Sequence, residues 1–207
     1  MATQTTLIEP ESLVPESLVV HFGDMLRNIT DEEFFKFCQL NRDLRIERTS
    51  DGEILIMPPT GGNTGRRNSA LTRRVDSWAE KDGTGVSFDS STAFTLPNGA
   101  IRSPDAAWVN RSRWDALTKQ QREEFPPLCP DFVVELRSPT DSVRTLHAKM
   151  QEYVASGALL GWLIDPIEKK VHVYRPNAEV VCLNNPKTAS GDPVLPGFVL
   201  DLEKLWG

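Results

Sequence analysis

Apolar positions along the chain change period several times, and each change marks an element. Thr30-Asp31-Glu32-Glu33 reads as a capping box ahead of Phe34, Phe35, Phe37 and Cys38, which predicts a short helix to about Leu40. Residues 44–59, LRIERTSDGEILIMPP, hold two apolar runs around Ser50-Asp51-Gly52 and predict a hairpin that Pro58 and Pro59 end. After the glycine-rich run TGGNTG, Leu71, Val75 and Trp78 recur at i, i+4 and i+7. Residues 60–83 therefore predict a loop leading into a helix with one buried stripe and Gly83 as its C-cap. From Val86 to Asn110 the runs VSF, TAFTL and IRSPDAAWV predict short strands, with a turn at Pro97-Asn98-Gly99. Residues 111–130 form a polar connection with some helical content. DFVVEL predicts a strand, and residues 142–156 a helix with Asp141 as N-cap and Gly157 as C-cap. LLGWLID, KVHVYRP and AEVVCL predict three more strands, and the tail PVLPGFVLDLEKLWG one further short strand and a final turn of helix. Such a set is α+β. It is buried most simply as a central mixed sheet flanked by helices, with the N-terminal helix and hairpin as an extension. Residues 1–22 predict a partly ordered arm, and 23–207 one domain.

Length and composition narrow the class. The 207 residues suit one domain, or one with a small extension. A net charge of −6 argues against indiscriminate binding to nucleic acid or anionic membranes. It leaves room for a local basic surface. Residues 62–79 carry Arg66, Arg67, Arg73 and Arg74 against Asp76 alone. A solvated helix face is the plain explanation; in a nuclease the same arginines are DNA-backbone contacts. The three cysteines form no CxxC pair, which argues against a zinc ribbon and suits reduced thiols in a cytoplasmic protein. No apolar run approaches the ~18 residues of a membrane span, and the N-terminus lacks the basic and apolar regions of a secretory signal. His21, His147 and His172 lack the spacing of a histidine metal site, and no Ser/His/Asp or Cys/His hydrolase motif is present.

The chemistry lies in acids placed inside apolar strands. Glu135 interrupts PDFVVELRSP, and burying a carboxylate costs several kcal/mol unless something pairs with it. Strand alternation puts Asp131, Val133, Glu135 and Arg137 on one face and Phe132, Val134 and Leu136 on the other. Asp105 opens the strand DAAWV. If that strand pairs with DFVVEL, Asp105 and Glu135 converge, and two carboxylates suit an oxygen-seeking Mg²⁺ or Mn²⁺. The plainer explanations are a turn-forming aspartate after Pro104 and an ion pair of Glu135 with Arg137 or Arg102. Lys149 lies at the edge of the apolar stripe of helix 142–156. It either snorkels outward or reaches the carboxylates. His147 faces elsewhere, about 160° round the helix from Lys149. TGGNTG is either a flexible connection or a phosphate cradle at a helix start.

The segments IERTSDGEILIMPPTGGNTGRRN, SPDAAWV, CPDFVVELRSPTDSVRTLHAKMQEYVASG, GWLIDP, VHVYRP and LPGF occur in an order that resembles the Uma-two-type restriction endonuclease family, part of the PD-(D/E)xK nuclease superfamily. The resemblance spans about residues 30–206. It implies a restriction-endonuclease-like fold and a Mg²⁺- or Mn²⁺-dependent hydrolase acting on DNA phosphodiester bonds. It also implies metal ligation by Asp105 and Glu135. The superfamily's lysine would fall at 137, where this chain has Arg137, a poor proton acceptor. The resemblance moves that role to Lys149 and leaves Arg137 to support Glu135 or the scissile phosphate. It calls for a further acid, for which Glu47 and Glu53 both stand as candidates. Double-strand cleavage needs two centres, which a homodimer would supply. The alternative is a non-catalytic nucleic-acid-binding or protein-interaction module that retains the nuclease fold.

Overall fold

The computed structural model describes residues 18–20 and 29–206; the rest of the arm expected over residues 1–22 lies outside them. The chain runs β1 (Leu18–Val20), α1 (Asp31–Leu40), β2 (Arg45–Arg48), β3 (Ile54–Met57), α2 (Gly62–Asp82), β4 (Gly85–Asp89), β5 (Phe94–Thr95), β6 (Ile101–Arg102), β7 (Ala106–Asn110), α3 (Arg111–Asp115), α4 (Lys119–Glu123) and β8 (Phe132–Leu136). It continues through α5 (Val143–Ala155), β9 (Leu160–Asp165), β10 (Lys170–Tyr174), β11 (Val181–Asn184), β12 (Thr188–Ser190), β13 (Val199–Asp201) and α6 (Glu203–Trp206). Among the described residues the strands form a six-stranded sheet ordered β11-β10-β9-β8-β7-β4, a five-stranded sheet ordered β1-β3-β2-β6-β5, and the pair β12-β13. The six-stranded sheet is mixed: β8 and β9 run parallel, and its other neighbours antiparallel. This is the α+β arrangement expected from the sequence.

Local signals place most of these elements. Thr30 caps α1 through a reciprocal bond with Glu33. Gly83, at φ 72, ends α2 in the left-handed conformation that glycine adopts without steric cost. Helices cover both faces of the mixed sheet, because β8 is apolar on both. Phe132, Val134 and Leu136 pack with Leu71, Val75 and Ala79 of α2. Val133 packs with Met150 and Tyr153 of α5 on the opposite side. Phe34 of α1 joins Ile46, Ile54 and Ile101 in a separate cluster beneath the five-stranded sheet.

Three expectations change. IRSPDAAWV is two strands in two different sheets, β6 and β7. Ser103 and Pro104 carry the chain between them, and proline has no N–H to give a ladder. The N-cap of α5 is Ser142, whose hydroxyl accepts from Thr145 N, whereas Asp141 accepts from Ser138 N and closes the preceding turn. The tail carries two strands, because Thr188–Ser190 pairs with Val199–Asp201.

Candidate active site

The break between β6 and β7 places Asp105 at the seam of the two sheets. Ala106 pairs with Val134, so Asp105 meets β8 at the level of Glu135. Asp105 is fixed by the Leu136 N–H, which donates to its Oδ2 at 2.8 Å, and by Asn68 Nδ2, which donates to Oδ1 at 3.1 Å. Arg45 lies 3.7 Å from the same Oδ1. Glu135 points from β8 towards α5, where Tyr153 donates its hydroxyl to Oε1 at 3.1 Å. Lys149 Nζ stands 2.9 Å from that oxygen and 2.9 Å from Glu47 Oε1. Asp105, Glu135 and Lys149 line one cavity of about 510 Å³, walled further by Arg45, Asn68 and the segment Gly61–Thr64 at the start of α2.

The structure brings Asp105, Glu135 and Lys149 together and sets Glu47, not Glu53, against Lys149. Lys149 turns inward, with 13% of its side chain exposed, rather than snorkelling. Glu47 is the acid that reaches Lys149, from the adjoining groove: its Oε2 receives Arg102 at 3.2 Å, and its Oε1 receives the Ser103 N–H at 3.0 Å as well as Lys149. Neither Glu47 nor Glu53 lines the cavity itself. The hairpin register sets Glu47 against Leu55, and Glu53 exchanges bonds with Thr49 at the turn.

Arg137 departs from expectation. Its guanidinium binds Asp165 at 2.8 Å, and its backbone N–H donates to Ile164 O. β8 has ended at Leu136, so the alternation that would set Arg137 beside Glu135 does not carry through, and Asp165 at the end of β9 holds it outside the cavity. The ion pair expected between Glu135 and Arg137 or Arg102 is made by Lys149 instead; Arg102 binds Glu47 and Glu152. None of Arg66, Arg67, Arg73 and Arg74 lines the cavity. Arg67 Nε donates to Leu205 O at 2.7 Å, and the α2 residues that reach the cavity are Gly62, Asn63, Thr64 and Asn68.

Arg45 and Asn68 are site residues that sequence patterns do not single out. Arg45 is an ordinary charge at a strand start, and Asn68 a single amide among arginines. Tyr153 left a signal, standing one turn after Lys149, although its place in the apolar stripe marks it only as core.

Burial sets the electrostatics. It lifts the Glu135 carboxyl to about 7; Lys149 opposes that rise, and the charges of Asp105 and Glu47 add to it. Asp105 is likewise pushed up by burial, with Arg45 opposing. Burial works against charge on Glu47 too, but Lys149 and Arg102 prevail and hold its carboxyl below the usual range. Burial alone would depress the Lys149 ammonium; Glu135 and Glu47 overcome it and raise its pKa, so the amine stays protonated.

Between pH 4.5 and about 7 folded Glu135 keeps a proton that the unfolded chain releases. The folded state binds more protons there, so stability falls as pH rises through that window. The depressed Glu47 titrates below it. Denaturant unfolding of the metal-free protein at pH 5 and pH 8 is expected to show a larger loss for wild type than for Glu135→Gln. Equal losses in the two proteins would refute the raised carboxyl.

The donor set beside Asp105 is one a hard cation takes. Asn68 Oδ1 is buried, has no hydrogen-bond partner, and belongs to a residue on the cavity wall beside Asp105. With the two carboxylates it makes an all-oxygen set of the kind Mg²⁺ and Mn²⁺ take. Among the described residues no three His, Cys, Asp or Glu side chains are grouped to hold a metal; Glu47 is engaged by Arg102, Lys149 and Ser103. The residues present fit a cation held by two acids and an amide oxygen.

A family model named Uma2, described as "Putative restriction endonuclease", matches residues 31–203. The chain belongs to the Uma2 family. The match runs from the first residue of α1 to the first of α6, so every residue of the cavity lies within it. Among solved structures, a chain described as "a putative nuclease belonging to DUF820" from Anabaena variabilis superposes with a TM-score of 0.70 at 22% identity, covering 86% of this chain and 97% of that one. At that identity the likeness establishes a shared fold, the central mixed sheet flanked by helices. No curated protein matches the chain. No helix among the described residues of this Uma2 protein is long and apolar enough to cross a membrane.

Proposed function

We propose that this Uma2 protein is a divalent-metal-dependent endonuclease that hydrolyses DNA phosphodiester bonds in the cavity between α2, α5 and the seam of the two sheets. The observation that carries the reading is the convergence there of two buried carboxylates, one just before β7 and one on β8, with the Lys149 amine. Asp105, Glu135 and Asn68 would hold Mg²⁺ or Mn²⁺, which when bound supplies an activated water and offsets charge on the phosphate. Lys149 acts as a donor and fixed positive charge, since its neighbours keep it protonated, and its place is to orient the water or to meet charge developing on the phosphate. Arg45 steadies Asp105, and Glu47 holds Lys149. Arg137 buttresses β9 through Asp165 and takes no part in the chemistry.

The test is a cleavage assay on supercoiled, linear and single-stranded DNA with Mg²⁺ or Mn²⁺, beside a chelator control and calorimetry of metal binding. Metal-dependent cleavage supports the reading. A folded protein that binds no divalent metal and cleaves nothing favours the non-catalytic module.

DNA is proposed to extend from the cavity along α2. Arg66, Arg73 and Lys81 recur at i, i+7 and i+15, on one stripe of the helix. Arg73, Arg74 and Lys204 of α6 line two adjoining surface grooves, one extending to Lys81 and the other to Arg66. Each cation that neutralises a phosphate contributes about one to the slope of log affinity against log salt. Binding of duplex DNA to the protein carrying Arg73→Ala and Arg74→Ala is therefore expected to weaken, with a slope shallower by about two. An unchanged slope would remove the stripe from the interface.

A further inference from the structure

We propose that Tyr153 is a positioning residue that, together with Lys149, determines which oxygen of Glu135 faces the cavity. The proposal rests on the metal-dependent reading above. Tyr153 is fully buried in the core of α5, packed with Met150, Val133 and Leu163. A phenylalanine would fill the same space, so what the hydroxyl adds is its bond to Glu135. That bond and the lysine contact converge on one atom: Tyr153 donates to Oε1 at 3.1 Å, and Lys149 Nζ lies 2.9 Å from the same Oε1. Both of these contacts fall on Oε1, and Glu135 is a residue of the cavity wall.

A carboxylate gripped by two donors at one oxygen cannot turn about its terminal bond without breaking both contacts. Oε2 is thereby left as the oxygen available to a cation beside Asp105. The two donors come from one rigid element, four residues apart and one above the other on α5. Lys149 Nζ also sits 5.9 Å from the Tyr153 ring centroid, so the phenol holds the lysine as well as the acid. Lys149 alone would leave Glu135 and Glu47 competing for one flexible ammonium. The hydroxyl gives Glu135 a second donor that Glu47 does not share.

The test uses the full chain. Calorimetric titration with Mn²⁺ is expected to show a dissociation constant about 10–100-fold higher for Tyr153→Phe than for wild type, the usual effect of removing a partner that orients a ligand. In cleavage kcat falls while KM for DNA holds, because the cation site is disturbed and the DNA surface is not. A second readout needs no substitution at 153. The chain has two tyrosines, so wild type labelled with ¹³C at tyrosine Cζ gives two resonances. Mg²⁺ is expected to shift the one that survives in Tyr174→Phe. Mn²⁺ affinity equal to wild type in Tyr153→Phe, or Mg²⁺ bound with neither resonance moved, overturns the positioning role and leaves the metal reading standing. Wild type that binds neither ion overturns the metal reading, and the role of Tyr153 with it.

Discussion

Glu135→Gln is expected to lower metal-dependent DNA cleavage by about 10²–10³-fold, the scale on which losing one preorganised electrostatic group acts, while the protein stays folded. The side chains have the same shape, and an amide oxygen can still accept from Tyr153 and Lys149 as Oε1 does now. What disappears is the negative charge opposite Asp105. Burial and the neighbouring acids already work against that charge, so its removal relieves a cost in the metal-free protein. Activity and stability should therefore move independently: cleavage collapses, and the melting temperature at pH 8 holds or rises. Cleavage assays with Mg²⁺ and Mn²⁺ beside thermal unfolding measure both. Undiminished cleavage would remove Glu135 from the mechanism and the nuclease reading with it.

Lys149→Met is expected to have the largest effect on stability, because one ammonium serves two buried carboxylates. Removing one partner of a buried ion pair costs about 3–5 kcal/mol, mostly through the charge left behind. Glu47 keeps Arg102 and the Ser103 N–H, so the stranded group is Glu135, which keeps only the Tyr153 hydroxyl. Glu135 escapes by binding a proton, which makes the loss depend on pH. The cost should be full at pH 8 and smaller at pH 5, since loss of Lys149 raises further a carboxyl that already sits at about 7. Lys149→Arg separates charge from geometry. It should recover much of the stability and little of the activity, because a planar guanidinium cannot place its charge where a compact ammonium does. Denaturant unfolding at the two pH values, with cleavage measured on each variant, checks this. A loss independent of pH would show that Lys149 acts by packing and not by pairing with Glu135.

Several features of this molecule could be read before any coordinates. The capping box at Thr30, the hairpin over 44–59 and the glycine stop at 83 are local signals, carried by neighbouring residues and expressed wherever those residues sit. The two faces of DFVVEL follow from strand alternation alone, which is why Glu135 separates from Phe132, Val134 and Leu136 as expected. The resemblance carried by the ordered motifs holds as well: the chain belongs to the family it suggested.

Other features depend on long-range register. Ser103-Pro104 lies inside one apolar run, and only the pairing of β6 with β2 and of β7 with β8 shows that the run crosses between sheets. Glu47 and Glu53 are equally plausible acids in one hairpin. The hairpin register sets Glu47 opposite Leu55, from where it meets Lys149 across 102 residues, and keeps Glu53 at the turn. Arg137 follows the last residue of β8 and pairs with Asp165 of β9, a partner that strand alternation does not reveal. Asn68 and Arg45 carry no motif and acquire meaning only from their distance to Asp105. Local chemistry and period thus identify the elements and the acids that do not belong in a core. Which of those acids face one another, and which cation stands between them, follows from how strands distant in sequence are laid side by side, and no local pattern encodes that.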